Sequence, residues 1–347
     1  MRIPNAQMQA ILNAYVQLGP LPLETLTPAQ ARLMPLMDNA AGAVYGQSIT
    51  HRAFAAHPYP VGAITHRLIE SGDGRVMARI YTPKGEAPQG GWPAVVYFHG
   101  GGWVLGDLDT YDSSARGLCD GARAIVIAVQ YRQAPEHKWP AAAHDAYAAF
   151  QWTHRNAVQL GIDPGRIAVA GESAGGNLAA VVSLMARDRD DILPVHQLLV
   201  YPVTDILNGL NSVSATENKE AKPLNTGMLA WFYGHYLEGG QDASDPYISP
   251  LYAKSHAGLP PATIILAQID PLRSDGEAYA ERLIAAAVPV SIKLYTGVTH
   301  EFFGMVGLVN EATEAMNHAA ADLRAAFDKG YPPAPDEALI LGTILTK

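Results

Sequence analysis

A serine placed for nucleophilic attack is the first chemical feature that the sequence offers. The pentapeptide Gly171-Glu172-Ser173-Ala174-Gly175 lies directly between a predicted strand and a predicted helix. A sharp strand-to-helix turn exposes the serine hydroxyl, and it needs small neighbours because the turn is crowded. The first amides of the helix also point toward the hydroxyl and favour negative charge there. The alternative is a glycine-rich turn in which Ser173 is a bystander.

Three consecutive glycines follow the predicted strand at 94–98. The run His99-Gly100-Gly101-Gly102 suits a chain that turns its N–H groups toward a ligand, since glycine tolerates unusual backbone angles. Beside a serine nucleophile, the N–H groups of Gly101 and Gly102 would bind a tetrahedral oxyanion, with Ala174 as a further donor. A phosphate-binding loop fits poorly, because Asp107 stands where such a loop needs lysine. A plain turn remains the alternative.

These two motifs, in this order, resemble the bacterial hormone-sensitive-lipase-like esterases of the α/β-hydrolase superfamily. The resemblance is dense from about Tyr81 to Met305. It is carried by six segments: 99–109 (HGGGWVLGDLD), 131–137 (YRQAPEH), 167–178 (IAVAGESAGGNL), 201–205 (YPVTD), 245–251 (DPYISPL) and 270–273 (DPLR). The resemblance implies the α/β-hydrolase fold, which is a mostly parallel twisted sheet with helices on both faces and a helical cap.

The acid and the base that would activate Ser173 are expected downstream, in the chain order serine, acid, histidine. Asp270 follows the predicted strand at 263–268, and His300 follows the predicted strand at 290–295. Groups at the carboxyl ends of parallel strands meet in one crevice, so the three side chains are expected to converge. Asp270 and His300 also match the positions that the family uses for its acid and its base.

Each of these two assignments has a competing interpretation. An aspartate after a strand is often a turn residue or a helix cap, and only one of the 12 histidines can be the base. Asp275 is the runner-up acid, although a negative charge at the start of its helix explains it as well. A zinc-protease interpretation of His300 and Glu301 fails because Gly304 stands where the second histidine would be.

Three residues near the predicted site depart from the usual family pattern. Glu172 stands where aspartate is more common, Glu301 stands where glycine is often found, and Ser274 replaces a commoner acid. None of them removes a member of the predicted triad. Each is expected to change local hydrogen bonding and therefore the pH optimum. The tail after about residue 328 has no clear counterpart in the family.

Short apolar runs alternate with helical segments along most of the chain. The runs predict strands at 76–81, 94–98, 125–129, 167–170, 198–201, 263–266 and 290–295. The helical segments lie at 140–159, 174–187, 274–287 and 311–328. This alternation predicts a parallel sheet with helices on both faces. Residues 1–50 are predicted to form N-terminal cap helices, and 51–347 the catalytic domain with a cap insertion at about 206–240.

The composition excludes several other classes of protein. The 347 residues hold 24 basic and 33 acidic side chains, and the net charge of −9 disfavours nucleic acid as a partner. With 48% hydrophobic and 16% charged residues, the chain is not disordered. Its one cysteine, Cys119, excludes an intrachain disulfide and cysteine-based zinc sites. We predict no signal peptide at the N-terminus and no membrane span, and therefore a cytoplasmic protein.

The resemblance implies a carboxylesterase that hydrolyses short- to medium-chain acyl esters through an acyl-enzyme at Ser173. No metal or organic cofactor is needed, because the nucleophile, the base and the oxyanion donors are all protein groups. Trp103, Tyr201 and Trp231 are candidates for the substrate pocket, with burial in the core as the alternative. An amidase or deacylase with the same triad remains open, whereas a non-catalytic receptor is expected to lack triad members. The sequence leaves open the physiological substrate, the enantiomeric preference and a homo-oligomer.

Overall fold

The computed structural model describes residues 2–47, 59–72, 74–330 and 343–344. The strands in these ranges are β1 (Ala63–Ser71), β2 (Gly74–Thr82), β3 (Trp92–Phe98), β4 (Ile125–Gln130), β5 (Ile162–Glu172), β6 (Gln197–Val200), β7 (Ala262–Ile269), β8 (Val290–Thr299) and β9 (Thr343–Ile344). They form one sheet in the order β1-β2-β4-β3-β5-β6-β7-β8-β9. The pairs β1/β2 and β2/β4 are antiparallel, and the other pairs are parallel. The predicted, mostly parallel sheet is therefore confirmed.

The α-helices of the described ranges are α1 (Ala6–Gln17), α2 (Pro28–Ala31), α3 (Met37–Gln47), α4 (Asp112–Ala122), α5 (Ala141–Arg155), α6 (Ala174–Asp188), α7 (Val213–Glu217), α8 (Thr226–Tyr236), α9 (Arg273–Ala285) and α10 (Asn310–Lys329). Helices α4, α5, α6 and α9 connect successive strands from β3 to β8, as parallel pairing requires. Helices α7 and α8 interrupt this alternation between β6 and β7. In the described ranges, no helix has both the length and the apolar character needed to cross a membrane.

The core lies on both faces of the sheet. Successive side chains of a strand point to opposite faces, and β3 shows the result. Val96 and Phe98 pack in the core that α5, α6 and α9 cover. Val95 and Tyr97 pack in the core that α1, α4 and α10 cover. Because strands buried on both faces place only their ends near solvent, the reactive groups of such a sheet collect where the strands end.

Several boundaries differ from the predictions. Strand β8 continues to Thr299, so His300 follows it directly and not after a loop of several residues. The extension passes through Gly297, whose φ of +71° accommodates an irregularity in the pairing with β7. The strand predicted at 76–81 is β2, which forms an antiparallel hairpin with β1, and Asp73 of its turn lies outside the described residues. The apolar run at 338–341 also lies outside them.

Candidate active site

The chain passes from β5 into α6 through a sharp turn at Ser173. The backbone of Ser173 has φ +56° and ψ −117°, angles that a residue with a side chain adopts only when its surroundings impose them. A Cβ at Gly171 would overlap the carbonyl group of Gly175, and a Cβ at Gly175 would overlap that of Phe98. The Ser173 N–H donates to the carbonyl of Val200 at 2.9 Å. The two glycines thus allow the turn, and β6 holds it in place.

Ser173, His300 and Asp270 form a continuous chain of hydrogen bonds. The Oγ atom of Ser173 lies 2.9 Å from Nε2 of His300. On the other edge of the imidazole, Nδ1 lies 2.7 Å from Oδ2 of Asp270. The second oxygen of Asp270 accepts the N–H of Leu272 at 2.8 Å, which fixes the carboxyl group. All three side chains are buried, although 127 positions separate the serine from the histidine.

The charges around His300 favour its protonated form. Burial lowers the pKa of the imidazole, but the negative charge and hydrogen bond of Asp270, with the charges of Glu301 and Glu172, outweigh burial. The net result is a pKa raised above the ordinary 6.5. An imidazole with a raised pKa accepts a proton from a neighbouring hydroxyl more readily, and Asp270 is placed to stabilise the imidazolium that results.

The loop after β3 presents backbone N–H groups to the same place. Gly101 and Gly102 have φ of +94° and +59°, in the left-handed region that favours glycine. The N–H groups of Val104 and Leu105 donate to the carbonyl of Gly101 and close the turn. Within the described residues, no group accepts a hydrogen bond from the N–H of Gly101, Gly102 or Ala174. Ala174 opens α6, so its N–H has no partner inside the helix.

His99 supports this loop from beneath. Its ring stacks on Tyr131 with centroids 4.4 Å apart, and Nδ1 lies 2.8 Å from the carbonyl oxygen of Gly100. Burial lowers the pKa of His99 to about 4, so the ring is neutral and donates to that carbonyl. A neutral, packed histidine holds the glycine loop without adding charge to the site.

A cavity of about 270 Å³ opens above Ser173 and His300. Three parts of the chain line it: the strand ends, residues of the predicted N-terminal cap, and residues of the predicted insertion. The cap contributes Tyr15, Leu23, Leu36, Met37, Asp38, Ala41, Gly42 and Tyr45, and the insertion contributes Pro223, Leu224, Met228, Leu229, Phe232 and Tyr233. The lining is mainly apolar, which suits the hydrocarbon part of a small ligand.

The α/β-hydrolase fold family matches residues 95–304, which include the serine turn, the glycine loop and both predicted triad partners. The chain belongs to the α/β-hydrolase family. Esterase LipI of Mycobacterium tuberculosis is 44% identical over 268 residues, covering 77% of this chain and 83% of the relative. Carboxylesterase NlhH of the same organism is 44% identical over 256 residues, covering 73% of this chain and 79% of the relative.

Solved structures agree with these sequence matches. The hyperthermophilic esterase of the archaeon Pyrobaculum calidifontis superposes with a TM-score of 0.81 at 36% identity, covering 94% of this chain and 99% of that chain. An α/β-hydrolase enzyme from the metagenome of Lake Arreo gives a TM-score of 0.82 at 35% identity, with the same coverage of each chain. The family and the fold class predicted from the sequence are therefore confirmed.

The three aromatic residues predicted to line the pocket of this α/β-hydrolase lie in different places. Trp103 lines the cavity and stacks on Tyr236 with ring centroids 4.1 Å apart. Tyr201 and Trp231 do not line it, which corrects the prediction. The hydroxyl of Tyr201 donates a hydrogen bond to the buried carboxylate of Glu172. The indole N–H of Trp231 donates to the carbonyl of Leu26 at 3.0 Å and joins the two predicted cap segments.

Two glutamates that depart from the family pattern lie near His300. Glu172 is fully buried and accepts hydrogen bonds from the hydroxyls of Tyr97 and Tyr201 at 2.5 Å each. Glu301 accepts the hydroxyl of Tyr111 at 2.8 Å and lies 3.8 Å from Nε2 of His300. The sequence did not indicate these tyrosine partners, because they come from separate strands and loops with no fixed spacing.

Burial and charge set the protonation of these two carboxyl groups. Burial raises the pKa of Glu172, and its hydrogen bonds act in the opposite direction. Burial raises the pKa of Glu301 to about 7, against the charge of His300, which lowers it. Ser274, the third departure, exchanges hydrogen bonds with Ser214 in the insertion and does not face the base.

Asp275, the runner-up acid, lies away from His300. Its carboxylate accepts the N–H groups of Thr204 and Asp205 at 3.0 Å each, and so holds the loop after β6. Burial raises the pKa of Asp275 to about 8. The carboxyl group of Asp275 therefore holds the backbone of this loop, and none of its hydrogen bonds within the described residues reaches the imidazole.

Proposed function

We propose that this α/β-hydrolase is a serine carboxylesterase, with Ser173 as nucleophile, His300 as base and Asp270 as the acid that orients the base. The observation that carries the proposal is the pair of hydrogen bonds, 2.9 and 2.7 Å long, that links the three side chains at the floor of the cavity. Relatives named esterase and carboxylesterase, at 44% identity, support the same activity.

The first half of the reaction acylates Ser173. Its hydroxyl oxygen attacks the ester carbonyl carbon while its proton passes to Nε2 of His300. The resulting oxyanion accepts hydrogen bonds from the N–H groups of Gly101, Gly102 and Ala174. Nε2 then returns the proton to the leaving alcohol, and the acyl group remains on the serine. The geometry supports this sequence, because one imidazole nitrogen faces the serine while the other is held by a buried carboxylate.

The second half of the reaction releases the acid. Water takes the place of the alcohol, gives a proton to Nε2 and attacks the acyl carbon, and the same N–H groups bind the second oxyanion. Collapse of this intermediate returns the proton to Ser173. Apart from the water, every group that acts on the ester in these steps belongs to the protein.

The size and lining of the cavity support short- to medium-chain acyl esters as substrates. A volume of about 270 Å³ accommodates a small ligand, and apolar side chains from both segments above the serine enclose it. Residues 1–50 and the insertion at about 206–240 are accordingly proposed to form the cap of a catalytic domain at 51–347. Residues 48–58, where these two ranges meet, lie outside the described residues.

The proposal includes a small-molecule ester as the partner and the cytoplasm as the location. A single buried cysteine, Cys119, suits a reducing compartment. Burial raises the pKa of its thiol to about 12, so it is a packed side chain and not a second nucleophile. A homo-oligomer remains open.

Labelling by a fluorophosphonate, followed by mass spectrometry, tests the nucleophile directly. We expect one label per chain, on Ser173, and loss of p-nitrophenyl ester hydrolysis in proportion to labelling. Ser173→Ala is expected to abolish both. Ser183→Ala is the matched control, since Ser183 lies in α6, the helix that begins directly after Ser173, and its hydroxyl donates to the carbonyl of Ala179. Label on another residue, or full hydrolysis by Ser173→Ala, would refute the proposal.

A matched ester and anilide with the same acyl group separate esterase from amidase activity. Hydrolysis of either substrate requires acylation of Ser173, but the anilide depends more on protonation of its leaving nitrogen. We expect measurable hydrolysis of the ester and little of the anilide. Comparable kcat/KM for the two would assign the protein to amidases.

A further inference from the structure

The mainly apolar cavity above Ser173 also has several acidic residues in its lining. Five acidic residues line it: Asp38, Asp109, Asp112, Glu172 and Glu301. Among the described residues, no lysine or arginine lines it. A ligand in this cavity therefore meets negative charge with no fixed cation to balance it, except the imidazole of the predicted base.

Three of these five carboxyl groups are satisfied from outside the cavity. Asp112 lies 2.5 Å from the guanidinium of Arg116, and Asp109 lies 2.6 Å from that of Arg79. Glu172 is fully buried and holds two tyrosine hydroxyls. The charges of Asp112 and Asp109 are thus compensated by arginines, and the carboxyl group of Glu172 is bound by tyrosine hydroxyls, before a ligand binds.

Glu301 differs from these three in its position and in its surroundings. In the described part of the chain it has no lysine or arginine within 4.0 Å, and its only ionic neighbour is His300. Its side chain is 23% exposed, and it lines the cavity. Above pH 7 the carboxyl group is mostly ionised, because burial raises its pKa only to about 7. The carboxylate is therefore available to a charged group of the substrate.

The position of Glu301 places it beside the alcohol part of the ester. Oε1 of Glu301 lies 3.8 Å from Nε2 of His300, the nitrogen that returns a proton to the leaving alcohol. A substituent near the leaving oxygen is therefore within a few ångströms of this carboxylate. Asp38 lies close enough for its charge to raise the pKa of Glu301, so the two carboxyl groups act on the same region.

Aromatic rings complete this side of the cavity. Tyr15, Tyr45 and Tyr111 line it, and the hydroxyl of Tyr111 donates to Glu301 at 2.8 Å. The charge of Glu301 adds to burial in raising the pKa of Tyr15, which places that ring near the carboxylate as well. Carboxylates bordered by aromatic faces attract ammonium groups more strongly than either does alone.

We infer that Glu301 makes the alcohol side of this cavity selective for esters of amino alcohols, that is, of alcohols that carry a protonated or quaternary amine. The inference rests on the proposed esterase function and adds the substrate class. An anionic alcohol is repelled by Glu301 and Asp38. A neutral alcohol of the same shape binds without the attraction.

The expected selectivity is large enough to measure. Two opposite charges about 6 Å apart at a partly buried site attract each other strongly enough to raise kcat/KM by a factor of about 100. The cation loses hydration when it enters the site, and this loss reduces the factor. We therefore expect the cationic ester to exceed its neutral counterpart by about tenfold in kcat/KM.

Choline butyrate and 3,3-dimethylbutyl butyrate are suitable probes, because they differ mainly in the exchange of nitrogen for carbon. Wild-type protein at about pH 8.5 is expected to prefer the choline ester. In Glu301→Gln, which keeps an acceptor for Tyr111, the ratio of the two kcat/KM values is expected to fall toward one. Glu314→Gln makes the same change on an exposed side chain of α10 and is expected to keep the wild-type ratio.

The ratio separates this inference from the proposed function. A wild-type ratio at or below one, or an unchanged ratio in Glu301→Gln, overturns the inference while hydrolysis of the neutral ester still stands. Absence of hydrolysis for both esters contradicts the proposed function instead. Inhibition of the unaltered protein gives a second measurement that needs no variant. Choline is expected to compete with the neutral ester at lower concentration than 3,3-dimethylbutanol, and the reverse order also overturns the inference.

Discussion

The phenol ring of Tyr201 packs against the imidazole of His300, with ring centroids 4.4 Å apart. The hydroxyl of the same side chain donates to the buried carboxylate of Glu172 at 2.5 Å. Tyr201 thus packs against one face of the His300 imidazole and also binds the buried carboxyl group of Glu172. This explains why an aromatic residue expected in the substrate pocket lies under the site.

Removing the hydroxyl of Tyr201 is expected to lower the stability of the folded protein. Tyr201→Phe keeps the ring but leaves Glu172 with Tyr97 as its tyrosine donor, so the free energy of unfolding should fall by about 1–3 kcal/mol. Tyr279→Phe is the control, because that buried hydroxyl has no hydrogen-bond partner in the described residues. Urea unfolding at pH 8 measures both. Equal stability of the two variants would mean that the bond to Glu172 contributes nothing.

Two aspartates five positions apart are expected to respond very differently to the same substitution. Asp270→Asn should lower kcat by about 10⁴-fold, because the amide no longer favours the imidazolium or the correct tautomer. Asp275→Asn should leave kcat within about tenfold, since its partners are the N–H groups of Thr204 and Asp205. Steady-state hydrolysis of a p-nitrophenyl ester compares them. Similar losses in both variants would contradict the assignment of Asp270.

The pH dependence of kcat/KM is expected to follow His300. The base acts in its neutral form, and its pKa is raised because Asp270, Glu301 and Glu172 together outweigh burial. Activity should therefore be complete above that raised pKa and fall as the pH drops through it. Glu301 has a pKa of about 7 and is partly ionised in this range, so in Glu301→Gln the pKa of His300 should fall and the acid limb should move to lower pH by up to about one unit.

A series of kcat/KM measurements between pH 5 and pH 9 tests this sign. Glu314→Gln serves again as the control for a change of net charge outside the cavity. An acid limb that stays in place in Glu301→Gln, or that moves to higher pH, would show that Glu301 does not act on the base.

The two segments above the serine are expected to limit acyl chain length. Leu36→Trp in the N-terminal segment, or Leu224→Trp in the insertion, narrows a cavity of about 270 Å³. Each should lower kcat/KM for a p-nitrophenyl octanoate more than for the acetate, by about tenfold or more. Leu33→Trp is the control, since Leu33 is 81% exposed and does not line the cavity. An unchanged chain-length profile in both test variants would argue against these segments as the cap.

Local patterns were sufficient to predict a parallel sheet with helices on both faces, and the family resemblance added the α/β-hydrolase fold. The serine turn and the glycine loop each follow a buried strand, and a short buried strand is recognisable from its run of β-branched residues. Helices were predicted within residues 1–50, and the structure places the first of them, α1, at Ala6–Gln17. The end of β8 was placed four residues early, because Gly297 within it resembles a turn residue.

The sequence by itself determined which side chains follow parallel strands, and therefore that Ser173, Asp270 and His300 stand at one edge of the sheet. That conclusion needed local spacing and the geometry shared by all parallel sheets, together with the family resemblance that selected Asp270 and His300 from the other candidates. Tertiary packing decided the neighbours of those side chains. Glu301 meets Tyr111 across 190 positions, and Trp231 meets Leu26 across 205 positions. Such contacts depend on how loops and helices fill the space above the sheet, and no periodicity along the chain encodes them.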